Sequence, residues 1–183
     1  MTRTAELIDA PSWSVRPERA IDLDQIHDLH RLAFGRPAEA ELVDAIRSGP
    51  DFIPGLSLVA VADDGSVLGH VLMSRIALDP DDGTGRVAVL ALAPLAVLPP
   101  HWARGIATAL MRAALTVADM RDEPFVAVLG PPSFYARFGF GPASDVEITS
   151  PYDAAGPAFQ VRPLGDNALE PGTVVYPPMF SEV

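Results

Sequence analysis

Cysteine is absent from the 183 residues. Disulfides, thiolate nucleophiles and thiolate metal ligands are thereby excluded, along with any cysteinyl acyl-enzyme. Positive charge is scarce: 13 basic residues stand against 24 acidic ones, a formal net charge of −11. That balance argues against broad nucleic-acid binding, which needs a basic surface. It is compatible with an amine-bearing substrate, and equally with simple solubility. Long apolar runs are missing too. The longest, Val87 to Leu98, is too short to cross a bilayer and contains Pro94. The start, MTRTAELIDA, carries no apolar segment of the kind a secretory signal needs. The expectation is a soluble cytoplasmic protein with no membrane segment.

What is present reads as globular. The chain is 49% hydrophobic and 20% charged, outside the disordered range. Its length suits one domain over residues 1–183 with a single core. The 19 prolines, about twice the usual share, fall mostly at loops and point to rigid connections.

Periodicity places the elements. Ser12 to Arg16 suits a short first strand. Asp22 to Phe34 carries Ile26, Leu29, Leu32 and Ala33 at helical spacing, with Asp22 as N-cap. A second helix follows over Glu39 to Arg47, closed by Gly49-Pro50. Ser57 to Ala62 and Val67 to Leu78 read as strands joined by the hairpin turn Asp63-Asp64-Gly65-Ser66. The run 87–98 is apolar on both faces, as in a central strand covered on both sides. Pro94 within it cannot donate to a ladder, which predicts a bulge that splays this strand from its neighbour. A helix over Thr108 to Met120 follows, its apolar stripe formed by Ile106, Leu110, Ala113, Ala114 and Val117. After it come a strand at Phe125 to Leu129, a short helix from Ser133 to Phe138, and strands near 146–149, 158–161 and 173–176. This order is that of a mixed α/β domain.

The junction between the apolar strand and the helix is the most informative segment. A helix start leaves backbone N–H groups without intrahelical partners and carries the positive end of the macrodipole, a receptor for phosphate or pyrophosphate. Gly105 and Ala107 would let a phosphate approach the backbone closely. A P-loop is excluded, because Gly105-Ile106-Ala107 supplies neither its lysine nor its hydroxyl. A dinucleotide fold is excluded for want of G-x-G-x-x-G on an early strand.

Trp102-Ala103-Arg104-Gly105-Ile106-Ala107 resembles the Q/R-x-x-G-x-G/A pyrophosphate motif of the GNAT superfamily of acyl-CoA-dependent N-acetyltransferases. Phe134-Tyr135-Ala136-Arg137-Phe138-Gly139-Phe140 resembles the same family's later aromatic segment, and Leu95-Ala96-Val97 its central strand. Val128 to Tyr135 and the tail Val174 to Phe180 are similar, more narrowly, to the YhbS-like predicted acetyltransferases. Trp102 departs from the motif, which has Gln or Arg at that position.

The resemblance implies a GNAT-like α/β (α+β) fold with a mixed, mostly antiparallel central sheet, splayed at the central strand and flanked by helices. It also implies acetyl-CoA as co-substrate. Leu95, Ala96 and Val97 would contact the pantetheine arm, while Ala103, Arg104, Gly105, Ile106, Ala107 and Thr108 would surround the pyrophosphate. Arg104 either lends charge to a phosphate or is a solvated loop arginine. An acceptor amine would attack the thioester directly, with Tyr135 protonating the departing thiolate. Glu41, His70 and Ser74 are candidates for a general base, whereas His101 reads as a loop contact. His70 and Ser74 share a strand face by period 2.

No metal is expected, since the turn carboxylates at 63–64 and 79–82 lack EF-hand spacing. The acceptor is a small-molecule or peptide amine, and a strand-rich C-terminus is compatible with a homodimer. Two alternatives stand beside an N-acetyltransferase: a GNAT-like acyl-CoA sensor without turnover, and a nucleotide-phosphate binder using the same helix start.

Overall fold

The computed structural model describes residues 13–182. Ser12, the expected start of the first strand, lies outside them. The elements run β1 (Trp13–Pro17), α1 (Leu23–Phe34), α2 (Ala38–Ser48), β2 (Phe52–Ala62), β3 (Val67–Pro80), β4 (Val87–Val97), α3 (Ile106–Ala118), β5 (Phe125–Leu129), α4 (Pro132–Tyr135), β6 (Gly141–Pro142), β7 (Ile148–Thr149), β8 (Phe159–Pro163) and β9 (Gly172–Val175). Short 3-10 turns link several of them.

The nine strands among the described residues join one sheet in the order β1-β2-β3-β4-β5-β8-β6, with β9 pairing β3 and β7. Pairing is antiparallel except between β4 and β5 and between β7 and β9. The mixed, mostly antiparallel sheet expected from the resemblance is what forms. Helices α1 and α2 cover one face. Their Ile26, Leu29, Leu42, Val43 and Ile46 pack with Val59, Leu72, Ile76 and Val89. Helix α3 covers the other, where Ile106, Leu110, Met111 and Ala114 meet Leu58, Val71, Met73 and Leu90. Strand β4 is thus buried on both sides, as its unbroken apolar run requires.

Four local readings are refined. Helix α3 begins at Ile106, two residues earlier than expected. Asp22 does not cap α1 with its side chain. Its buried carboxylate instead accepts two hydrogen bonds from Arg16 at 2.6 and 2.9 Å and one from the Arg19 amide at 2.7 Å, tying β1 to the helix start. On α1, Leu32 is 65% exposed and His30 fully buried. The inward stripe is therefore 26-29-30-33, a proper i, i+3, i+4, i+7 series with a histidine in the leucine's expected place. Strand β6, two residues long, carries no periodic signal at all.

The Pro94 expectation is met. Val71 pairs Leu95 and Met73 pairs Leu92, so β4 spends one extra residue across Ala93-Pro94. That is a β-bulge. On its other edge β4 pairs β5 only from Leu90 to Leu92, after which β5 continues with β8 alone. Beyond the bulge the sheet is split. Alternation along β4 aims the backbone groups of Leu95 and Val97 into the gap, since the neighbouring Leu98 amide donates to Leu68 on β3 at 2.9 Å.

Candidate active site

The split opens two cavities that share a wall. One, about 580 Å³, lies between the end of β4, the start of α3 and the β5–α4 turn. Leu95, Ala96, Val97, Ala103, Gly105, Ile106, Ala107, Thr108 and Tyr135 all line it. Arg104 does not, and is exposed. Arg137 supplies the cationic side chain on the wall instead, its guanidinium carbon 4.7 Å from the centre of the Phe134 ring.

The start of α3 has the features an anion requires. No side chain caps it. The first intrahelical bond runs from the Ala109 amide to Gly105 O, so the amides of Gly105 to Thr108 have no helical acceptor. Gly105 sits at φ +81 with nothing within 4 Å of where a Cβ would stand. The left-handed backbone demands glycine, and the space in front of it is open. Close packing behind holds the helix start in place. A Cβ on Gly69 of β3 would lie 2.9 Å from Ile106 Cγ2 and 3.0 Å from Leu110 Cδ1. His101 also lines this cavity, and its Nδ1 is buried without a hydrogen-bond partner.

Trp102 does more than leave a motif position unmatched. Its indole Nε1 donates to Val97 O at 2.7 Å, while the residue stays 60% exposed at the rim. The side chain thereby takes up the outward carbonyl of the free strand edge and holds an indole face beside the cavity. Only one other tryptophan exists, Trp13 on β1. Titrating CoA should therefore change the tryptophan emission, and Trp102→Phe should abolish most of that change. An unaltered response in the variant would place the ligand elsewhere.

Tyr135 is 7% exposed and borders both cavities, as do Leu95 and Pro131. Burial pushes its phenol up to about 12, so it stays protonated, and able to donate, across the whole physiological range. Gly130 makes room for it. A Cβ there would stand 2.5 Å from the ring's Cε2.

The second cavity, about 350 Å³, lies on the α1/α2 side. Its floor is the bulged stretch Ala91 to Leu95, and its walls include Phe34, Leu42, Tyr152, Tyr176 and Phe180. Glu39 lines it, whereas Glu41 on the same helix is exposed. Glu39 falls on the inward series 39-42-43-46, the i, i+3, i+4, i+7 phase of Leu42, Val43 and Ile46, whereas Glu41, expected to line the acceptor cleft, points away from it.

His70 and Ser74 do share a face, and both are fully buried, yet neither lines either cavity. His70 belongs to a chain of buried polar groups. Glu18 accepts from Arg47 at 2.8 and 2.9 Å and from Ser57 Oγ at 2.5 Å. Ser57 Oγ lies 2.9 Å from His70 Nε2, and His70 Nδ1 lies 2.8 Å from His30 Nε2. Since the single Ser57 proton goes to Glu18, His70 donates from Nε2 and His30 donates to His70 Nδ1. His30 Nδ1 is left as a buried acceptor without a partner. Burial is the main force lowering both histidines, His30 to about 2. A neutral pair that resists protonation is a poor base. The sequence holds no signal linking these residues except His30 falling on the α1 stripe.

Among the described residues no group of three His, Cys, Asp or Glu is placed to hold a metal ion. Nor is any helix among them long and apolar enough to cross a membrane.

A mixed sheet parted at a bulged central strand, with an uncapped helix start in the breach, defines a GNAT acetyltransferase. The chain belongs to that family, and is a transferase by class: the acetyltransferase (GNAT) domain matches residues 14–143. It is 34% identical over 155 residues to the uncharacterized N-acetyltransferase YhbS of Escherichia coli K12, covering 85% of this chain and 89% of that protein. The crystal structure of E. coli YhbS in complex with CoA superposes with a TM-score of 0.85 at 30% identity, covering 94% of this chain and 93% of that one. A GNAT family acetyltransferase from Brucella melitensis, in complex with acetyl-CoA, gives 0.74 at 28% identity, covering 93% and 99%.

Proposed function

We propose that the chain is an acetyl-CoA-dependent N-acetyltransferase that passes the acetyl group directly to an amine, as a single GNAT-type domain working in the cytoplasm. The observation that carries this reading is the meeting of two cavities at Tyr135, one with a helix-start anion cradle and the other with an apolar pocket. CoA and acetyl-CoA in the two related structures support acetyl-CoA as the co-substrate.

In this reading the α3 amides at 105–108 hold the pyrophosphate, with Ala103 beside them and Arg104 contributing only long-range charge. Leu95 offers its amide and carbonyl to the pantetheine arm. Val97 offers its amide, since Trp102 already engages its carbonyl. The acceptor nitrogen, deprotonated, attacks the thioester carbon. A C–N bond forms, the C–S bond breaks with its electron pair moving to sulfur, and the Tyr135 proton goes to the thiolate. The attacking nitrogen gives up its proton to solvent, and solvent returns one to the Tyr135 phenolate, so the enzyme is restored.

CoA release across an amine panel tests the reaction, and CoA binding without turnover on any amine would overturn it. The cradle is tested by Gly105→Glu, which sets a side chain at a positive φ and a negative charge against the phosphates. CoA affinity in calorimetry should fall by roughly tenfold or more. Unchanged affinity would move the phosphate site off α3.

A further inference from the structure

We propose that the acceptor is a primary amine carried on a compact apolar body, a single aromatic ring or a branched alkyl chain on a short arm. This rests on the transfer reading above and names the class of substrate for its second cavity. Size argues first. An apolar cavity of roughly 150 Å³ holds benzene. The second cavity, at about 350 Å³, therefore takes a ring plus an arm of two or three atoms ending at an amine.

The walls argue next. Phe34, Leu42, Tyr152, Tyr176 and Phe180 present mostly carbon to the occupant. The Tyr152 and Tyr176 rings meet edge to face with centroids 5.1 Å apart, and Tyr176 and Phe180 sit at the same separation. Tyr152 spends its hydroxyl proton on Phe180 O at 2.9 Å. The cluster thus offers mainly ring surface, with the Tyr176 and Tyr135 hydroxyls as its polar points.

Charge settles the class. Among the described residues lining this cavity, Glu39 is the one carboxylate and Arg36 the one cation. Glu39 is buried, while Arg36 is more than half exposed and bonds it through Nε at 3.0 and 3.1 Å. A carboxylate has about four acceptor sites, so Glu39 can engage an entering ammonium while Arg36 holds it in place. Already paired with Arg36, Glu39 has acceptor sites left for one ammonium and no surplus charge for several. A polyamine or an aminoglycoside would bring further ammonium and hydroxyl groups against carbon, each desolvated without a partner. A peptide would leave backbone amides unpaired there for the same reason.

The experiment compares kcat/KM for 2-phenylethylamine and 3-methylbutylamine with that for spermidine, kanamycin and a lysine-containing peptide. The two apolar amines should lead by at least tenfold. Phe34→Ala, which trims a residue already 41% exposed, should raise KM for 2-phenylethylamine severalfold with KM for acetyl-CoA unchanged. Glu39→Gln should raise it about tenfold. Preference for spermidine, kanamycin or the peptide would overturn this substrate class and leave acetyl transfer standing. Should no amine release CoA, calorimetry of each amine on the CoA-loaded protein decides. Tighter binding of the apolar amines supports the class although transfer has failed, and equal or weaker binding overturns both.

Discussion

Tyr135→Phe is expected to slow turnover by roughly two to four orders of magnitude, the range a positioned general acid contributes, with CoA affinity nearly unchanged. The ring stays, so its packing against Phe134 and Phe140 at 5.0 and 5.7 Å between centroids is kept. Only the proton donor is lost. Because burial holds the phenol at about 12, it contributes no falling limb to the pH–rate profile below about pH 11. Rate should instead climb with pH as the acceptor ammonium deprotonates. Gly130→Ala is the companion variant: its new methyl displaces the ring and should lower turnover while the phenol remains. Wild-type turnover in Tyr135→Phe would end the acid role.

The second large effect concerns stability. Glu18→Ala removes the partner of a half-buried Arg47 and the anchor of the Ser57–His70–His30 chain. Breaking one side of such a pair costs about 3–5 kcal/mol, equivalent to a fall in Tm of roughly 6–20 °C for a protein of this size. Acid should act on the same cluster in the wild type. Burial first, and then the neighbouring His70, Arg47 and His27, hold folded His30 at about 2, while the unfolded chain takes a proton near 6.5. Stability from His30 is therefore complete above about pH 6.5 and lost as pH falls below it, by about 2 kcal/mol at pH 5. His70 is lowered as well, again chiefly by burial with Glu18 opposing, and adds in the same direction. Burial alone would raise the Glu18 carboxyl, but the hydrogen bonds from Arg47 and Ser57, with His70 Nε2 close by at 3.5 Å, outweigh it and hold the group well below the usual carboxylate range. Its contribution is lost only below about pH 4.5. Thermal melts from pH 7.5 to 5 check this, and a Tm flat across that interval would sink the neutral histidine pair.

Legibility differed between elements for physical reasons. The strand–turn–strand of β2 and β3, strand β5 and the apolar β4 were readable because periodicity and turn chemistry are local. Pro94 was readable because a missing donor in a buried strand has few structural outcomes, and here the outcome is a bulge and a parted sheet. The open, uncapped start of α3 could be read from Gly105 and Ala107, since an exposed backbone turn leaves a mark on composition. His30 and Glu39 were legible in helical phase, through the series 26-29-30-33 and 39-42-43-46, although their polarity pointed outward; Arg137 in place of Arg104 was not. That choice depends on how two segments 33 residues apart pack around one cavity, which no local pattern encodes.

By itself, then, the sequence determined the element order, the absence of thiol chemistry, the bulge, the uncapped glycine start of α3 and the family its motifs resemble. All of these follow from residues within a few positions of one another. The tertiary structure alone decided that Tyr135 forms a wall between two cavities and that Trp102 takes up the Val97 carbonyl. It also decided that His70 is sealed in a neutral network, and that Glu39 faces an aromatic pocket built partly from the C-terminal segment. Those facts depend on contacts between segments far apart in the chain, where burial and desolvation set the chemistry.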